Sequence, residues 1–311
     1  MSNHCFSACA TTGKYIISAM KTSRLSVPLL ALATIFTIAG CSNSQESADD
    51  ANTEASETAV ATTKGDILRI ATEGAYAPFN YTNANGTLGG FDVEIANALC
   101  ADLQVTCEIV AQDWDGIIPG LKAGKYDAIV AAMSVTPERS EQVSFTDPYF
   151  SNTLVFLAKK DSSFDPNKQS DIDAHSIAAQ RSTISSQWFE DTYPNAEMKL
   201  YDTLSNAFLD LGSNRVDAMI SDKLPAIEWL SSPAGSNYAL KGDEIDINDN
   251  FAIAVRPGDP LQAKINQSLA NIKANGTYDK INQQYFAIPE SAMQTSDADA
   301  PEQPVTETAG Q

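Results

Sequence analysis

An α/β fold assembled from two similar units is what this sequence predicts, on three observations. Between about residues 66 and 290, short apolar runs of strand length alternate with longer stretches of helical periodicity. A phrase of helix end, turn and strand recurs ninety residues apart: Leu121, Gly124, Asp127, Ala128 and Ile129, then Leu211, Asn214, Asp217, Ala218 and Met219. Residues 42–64 before this window and 291–311 after it are too polar to bury a core.

The elements follow in order. Strands are expected at Ile67–Ala71, Val105–Val110, Tyr126–Ala132, Leu154–Ala158, Ser176–Ala179, Val216–Ile220 and Phe251–Val255, each a short apolar run bounded by turn residues. Helices are expected at Val93–Leu103, Asp115–Ala123, Ser185–Asp191, Leu204–Leu211, Lys223–Leu230, Leu261–Ala274 and Tyr278–Tyr285. The helix from Leu261 shows the logic. Asp259 and Pro260 supply a cap and a pre-set first φ, Ile265, Leu269 and Ile272 form one stripe, and Gly276 stops it.

The sequence of 311 residues carries 40 acidic against 20 basic side chains, a net charge of −20. That balance excludes a nucleic-acid backbone as partner, because phosphates would be repelled, and otherwise reads as a solvated acidic surface. No acidic residue occurs in the first forty positions, where Lys14, Lys21 and Arg24 precede an apolar run from Val27 to Ala39. The run is too short to span a bilayer comfortably, and it reads as residues 1–40 of a signal peptide, with Met20 an economical alternative start. It ends in Ile38-Ala39-Gly40-Cys41, a lipobox pattern that predicts a mature chain beginning at a lipidated Cys41 and anchored to a membrane on the extracytoplasmic side of the cell envelope. An ordinary signal peptide cut nearby is the alternative. Residues 41–65 are then a flexible acidic tether, with a reach of roughly 25–30 Å. Residues 291–311 have the same composition and are expected to be a disordered tail.

Downstream of Cys41 only Cys100 and Cys107 remain. In an exported chain, a seven-residue spacing between a helix end and the next strand predicts a disulfide, and no further Cys or His partners stand near them for a zinc site. No metal or cofactor is expected.

The folded window as a whole resembles the bacterial extracellular solute-binding proteins of family 3, the polar and basic amino acid type that includes the histidine- and lysine/arginine/ornithine-binding proteins. Seven phrases carry the resemblance: Glu73–Phe79 (EGAYAPF), Gly90–Ala96 (GFDVEIA), Trp114–Leu121 (WDGIIPGL), Tyr126–Ile129 (YDAI), Thr136–Arg139 (TPER), Phe145–Tyr149 (FTDPY) and Asn275–Tyr278 (NGTY). It implies a two-lobed, type 2 periplasmic binding protein-like fold in which each lobe is a mixed sheet flanked by helices. Two crossing hinge strands would join residues 66–151 and 253–290, as lobe 1, to residues 152–252, as lobe 2. It implies a monomer that captures an L-amino acid and delivers it to the permease of an ABC-type importer, with a basic ligand (arginine, lysine, ornithine or histidine) preferred.

Roles carried by the resemblance fall on named positions. Arg139 corresponds to the arginine that clamps the ligand's α-carboxylate, with Ser134 beside it. Thr183 and Ile184 fall where the second lobe offers a hydroxyl and backbone N–H groups to that carboxylate, and Asp222 matches the aspartate that receives the α-ammonium. Tyr76 and Trp114 match the aromatic walls around the side chain, and Glu73 the acidic residue that meets a cationic terminus. The chemistry is coherent by itself: burying a zwitterion costs several kcal/mol per charge unless each charge finds a partner, and a guanidinium and a carboxylate supply the two partners. Each residue also has a plainer reading. Arg139 suits a surface ion pair, Asp222 a helix N-cap, and Tyr76 and Trp114 core packing; Glu73 is the one that packing explains least.

The sequence departs from the family pattern at Ala131 and Ala132, where basic amino acid binders have serines, and at Ser182, Ile184 and Ser185. These departures leave a neutral polar or acidic ligand such as glutamine or glutamate as the alternative, with Arg181 near the rim as its possible attractor. An enzymatic rival on the same fold, a cyclohexadienyl or arogenate dehydratase-like protein, would rest on Glu73 alone as acid, without a second catalytic group. No catalytic residue is therefore assigned. A receptor input module is the third class, and it would continue into a membrane span.

Overall fold

The computed structural model describes residues 66–286. The expectations for the signal peptide, for lipidation at Cys41, for the tether and for the tail lie outside these residues. Chain order begins with β1 (Ile67–Thr72), β2 (Ala75–Tyr76), β3 (Asn80–Thr82), β4 (Leu88–Gly89), α1 (Phe91–Leu103), β5 (Thr106–Ala111), α2 (Trp114–Lys122), β6 (Ala128–Ile129), α3 (Pro137–Ser140) and β7 (Ser144–Phe145). It continues with β8 (Phe150–Lys159), α4 (Gln169–Ala174), β9 (Ile177–Gln180), α5 (Ile184–Thr192), β10 (Met198–Tyr201), α6 (Leu204–Gly212), β11 (Ala218–Asp222), α7 (Lys223–Leu230) and β12 (Tyr238–Phe251). β13 (Ala254–Val255), α8 (Leu261–Ala274) and α9 (Thr277–Phe286) complete it.

Two five-stranded sheets share one plan. In the first, ordered β5-β1-β6-β13-β7, β5, β1 and β6 are parallel and β13 lies antiparallel to β6. In the second, ordered β10-β9-β11-β8-β12, β10, β9 and β11 are parallel and β8 lies antiparallel to β11. This is the bilobed type 2 periplasmic binding protein fold. The recurring phrase in the sequence has the same local structure in both lobes. Gly124 and Asn214 both take left-handed φ (73° and 57°) after their helices. Asp127 then accepts the Arg69 N–H at 3.1 Å, and Asp217 the Ser176 N–H at 2.9 Å, so each aspartate pins its strand to the neighbouring one.

Both sheets are covered on two faces, as parallel sheets require. Leu68 and Ile70 point into one core cluster and Ala71 into another, where it meets Ile117, Leu121 and Ile129. In the second lobe, Phe156, Ile177, Phe189 and Ile220 form a separate cluster. The chain passes from the first sheet to the second between Phe145 and Phe150 and returns between Phe251 and Ala254. At these crossings Phe79 packs edge-on against Phe150 and Phe251, with ring centroids 5.1 and 5.3 Å away, and aromatic burial anchors the hinge. Cys100, in α1, and Cys107, in β5, form the expected disulfide.

The strand expected over Tyr126–Ala132 contracts to Ala128–Ile129, and Ala132 turns to φ 46°, which ends the ladder beside the cleft. The strand expected over Phe251–Val255 is divided between two sheets, because the hinge lies within it. β12 goes unrecognised in the sequence: in its segment Asp243–Asn250 only Ile245 and Ile247 are apolar and pack on the core, and the acidic residues between them suit a strand at a sheet edge, where charge blocks further pairing.

Candidate ligand site between the lobes

The parallel strands of both sheets end at one cleft, the usual place for a ligand in open α/β sheets. Glu73 follows β1, Trp114 opens α2 after β5, Gln180 ends β9 and Asp222 ends β11. Together they line one narrow cavity. The first lobe contributes Glu73, Tyr76, Trp114, Ala131, Ala132, Ser134 and Arg139; the second contributes Gln180, Thr183, Ile184 and Asp222. All eight ligand-site residues singled out in the sequence are thus brought to one cavity.

The cleft is closed by hydrogen bonds that cross it. The Tyr76 hydroxyl donates to Asp222 Oδ2, Gln180 Nε2 to Glu73 Oε1 at 2.7 Å, and the Trp114 indole N–H to the Ser182 carbonyl at 3.1 Å. Arg139 spans it as well, donating from Nη1 to the Ser134 carbonyl at 2.7 Å and from Nη2 to the Ser182 carbonyl at 3.0 Å. Its guanidinium lies 5.2 Å from the centroid of Trp114, so that ring also serves as a cation–π face for the arginine. Ser182 holds φ 59°, a left-handed value costly for a residue with a Cβ, and this turns its carbonyl toward both donors.

Several predicted residues work differently in detail. Asp222 occupies the N-cap position of α7, yet its side chain makes no capping bond; it accepts from Tyr76 instead. Thr183 caps α5: its Oγ1 accepts the Ser186 N–H and donates to the Gln180 carbonyl at 2.8 Å. Its hydroxyl proton is thereby spent, which leaves the first-turn N–H groups of Ile184 and Ser185 as the donors a helix start leaves open. The Ser134 hydroxyl donates to Asp249 Oδ2 at 3.1 Å, and Arg181 at the mouth pairs with Asp202 and, across the cleft at 3.7 Å, with Asp115. An acidic ligand would find Arg181 already neutralised.

Burial dominates the electrostatics. Asp222, 3% exposed, is pushed up to about 7 by burial and by Asp249, against the opposing bonds from Tyr76 and Asn152 and the charge of Arg139. Glu73 is likewise pushed up to about 7 by burial, with Asp113 and Asp115 adding to it and the Gln180 bond opposing. Arg139 is lowered by burial, which the charges of Asp249 and Asp222 oppose. Among the described residues no carboxylate lies within 4.0 Å of Arg139, and Asp222 Oδ1 is buried without a hydrogen-bond partner. A cation and an anion thus face one cavity from opposite lobes, each short of a partner.

Sequence reasoning missed Gln180, Asp249 and the network beneath the first lobe's wall. There the Tyr149 hydroxyl accepts the Ala132 N–H and donates to Asp92 Oδ1, Asp92 Oδ2 accepts from Asn80, and Asn80 accepts the Gly74 N–H. The signal for it was an aspartate inside an otherwise apolar phrase, Phe91-Asp92-Val93.

The family model of the bacterial extracellular solute-binding proteins, family 3, matches residues 68–288. The chain belongs to this family. It is 37% identical over 222 residues to ABC transporter arginine-binding protein 1 of Escherichia coli (strain K12), a match covering 70% of this chain and 90% of that one. Among solved structures it is similar to an ancestral arginine-binding protein bound to arginine, at 35% identity and TM-score 0.67, over 71% of this chain and 98% of the other. An ancestral amino acid-binding protein that is a precursor of cyclohexadienyl dehydratase matches at 33% identity and TM-score 0.65, over 71% and 95%. This solute-binding protein is thus a transport component that acts outside the cytoplasm, not an enzyme, and the dehydratase reading is dropped.

Proposed function

We propose that this solute-binding protein is anchored by a lipid on Cys41 and captures an L-α-amino acid with a cationic side chain, closing its lobes over the ligand and handing it to a membrane permease. The observation that carries the reading is that Arg139 and Asp222 line one cavity from opposite lobes without pairing with each other, Asp222 Oδ1 being buried and unpartnered. An α-carboxylate fits the guanidinium and an α-ammonium fits Asp222, so a zwitterion joins the lobes and favours the closed state. Glu73 then lies where a cationic terminus ends, and Asp113 and Asp115 add negative charge near it. A glutamate side chain would meet these charges in a desolvated cleft.

A thermal-shift screen over the twenty L-amino acids with ornithine and citrulline tests the ligand class, because a ligand bound by the native state raises the apparent Tm. Arginine, lysine, ornithine or histidine should give the largest shift; a larger shift from glutamate or glutamine refutes the basic preference. Mass spectrometry of the processed protein from the membrane fraction tests the anchor. Recovery of a soluble mature chain with another N-terminus refutes it.

A further inference from the structure

We infer that Asp249 is a positioning residue for ligand capture: from the returning hinge strand it holds the guanidinium of Arg139 in place through Ser134 and adds a second negative charge beside Asp222. The inference rests on the proposal that Arg139 and Asp222 grip an amino acid by its main-chain charges. Asp249 lies in β12, two positions before Phe251, and is 6% exposed. Its Oδ2 accepts from two elements: from Asn152 Nδ2 of β8, its cross-strand partner, at 2.9 Å, and from the Ser134 hydroxyl of the first lobe at 3.1 Å. Ser134 is held along its backbone as well. It bridges to Phe251, while the Val135 N–H donates to the Asn250 carbonyl and the Ala252 N–H to the Met133 carbonyl, each at 3.0 Å. The Ser134 carbonyl in turn accepts from Arg139 Nη1 at 2.7 Å. A single buried carboxylate thus joins β8 and β12, the two strands that leave the hinge, to the residue on which the clamp arginine rests.

The electrostatics follow the same geometry. Of the charges that favour the buried guanidinium, that of Asp249 is the largest and that of Asp222 the next, although among the described residues no carboxylate pairs directly with Arg139. Asp249 therefore supports the charge of Arg139 from a distance and leaves its remaining N–H groups open to a ligand's carboxylate, where a direct ion pair would occupy them. Asp249 is itself raised by burial, and the bonds from Asn152 and Ser134 and the charge of Arg139 oppose this. On Asp222 the effect has the other sign: like charges in one buried region disfavour each other, and after burial Asp249 is the main reason that Asp222 is raised. Arg139, Tyr76 and Asn152 face this pair of carboxylates. Asp249 also lines a second cavity with Lys223, Glu244 and Asp246, of which Lys223 and Glu244 pair with each other. An α-ammonium brought beside Asp222 relieves the repulsion and is attracted by both carboxylates. The arrangement acts on charges that every α-amino acid shares, so it should not distinguish one side chain from another.

The test is calorimetric titration of arginine and of lysine, at pH 6 and at pH 8, into the full processed chain as wild type, Asp249→Asn, Ser134→Ala and Asp246→Asn, with thermal unfolding followed for each. Asp249→Asn keeps the shape and an acceptor and removes the charge. At pH 8 it should weaken both ligands by about tenfold, the scale of one hydrogen bond to a charged group, with their ratio held to within about threefold. Asp222 must be ionised to receive the ammonium, so affinity rises with pH as its proton leaves. Without Asp249 that proton leaves more readily, and the gain in affinity between pH 6 and pH 8 should shrink by about threefold or more. A residue that served packing alone would leave the gain as it is. Ser134→Ala cuts the tie and keeps the charge, so it should weaken both ligands by about threefold or more and retain the full pH gain. Asp246→Asn removes an exposed charge from the same strand and should change affinity and pH gain by less than about twofold. An unchanged affinity, an unchanged pH gain or a shifted arginine-to-lysine ratio in Asp249→Asn overturns the inference, and so do equal losses in Asp246→Asn. Should Asp249→Asn not fold, wild-type affinity in Ser134→Ala overturns it. A wild type that binds neither ligand removes the basic-ligand proposal and this inference with it.

Discussion

Raising the pH from 6 to 8 should tighten the binding of a basic amino acid, and the size of the effect follows from two carboxyl groups. Glu73 and Asp222 are both pushed up to about 7 in the closed cleft, chiefly by burial. At pH 6 each is about nine-tenths protonated, and at pH 8 about one-tenth. A ligand's ammonium and its cationic terminus need both carboxylates ionised, so binding expels whatever protons they hold. The ionised form is the binding form, and affinity therefore rises with pH. Each group contributes about tenfold between pH 6 and pH 8, and the pair about 100-fold, or ~2.7 kcal/mol. The assay is calorimetric titration of arginine at pH 6 in two buffers of different ionisation enthalpy. Release of nearly two protons, about 1.8 per arginine, should appear as a difference between the apparent heats. Glu73→Gln should reduce the release to about one proton and the pH effect to about tenfold. Heats that do not depend on the buffer, together with a Kd flat from pH 6 to 8, would refute the reasoning, because both carboxylates would then be ionised before the ligand arrives.

Arg139→Ala should abolish amino acid binding of every class, with a loss of about 3–5 kcal/mol, since it leaves a buried carboxylate of the ligand without its partner; calorimetry with several amino acids reads this. Asp92 is fully buried and pushed up to about 7 by that burial, against the bonds from Tyr149 and Asn80. A raised carboxyl stabilises the fold below its ordinary value and loses that contribution as pH rises through the folded value. Asp92 should therefore cost about 2–3 kcal/mol of stability between pH 5 and pH 8 in denaturant titrations. Asp92→Asn should flatten that slope, and an unchanged slope counts against the assignment. At Gly90, φ is 116° and an added Cβ would lie 2.3 Å from the Phe79 carbonyl oxygen. Gly90→Ala should lower stability by more than about 2 kcal/mol in thermal unfolding, and a neutral effect would contradict the close approach.

Much of the fold was legible because it rests on local signals. The helix over Leu261–Ala274 was readable from its stripe and its stop, although Pro260 and not Asp259 takes its N-cap position, and Lys223–Leu230 forms at its expected bounds. The doubling of the fold was readable from one recurring phrase, whose glycine or asparagine and aspartate do the same work in each lobe. For the proposed function, residue types also carried the chemistry, because an arginine and an aspartate placed by family phrases are what a zwitterion needs.

What only the tertiary structure decided is how those groups are partnered, since hydrogen bonds between residues more than a hundred positions apart leave no local pattern. Gln180 stood in the sequence as one polar residue beside a strand end; its importance comes from Glu73, 107 positions away, to which it bonds across the cleft. Ser134 was placed only beside the clamp, and Asp249, 115 positions away, takes its hydroxyl proton; the cap that Thr183 makes on α5 is by contrast local. β12 escaped detection although Ile245 and Ile247 alternate with acidic and polar residues and half-bury against the second lobe's core, because acidic residues on the other face outnumber them. By itself the sequence determined the two lobes, the family and the charges that line the cleft. The structure decided which of those charges are left unpaired for a ligand, because desolvation and partnering depend on what the fold brings within about 3 Å of each atom.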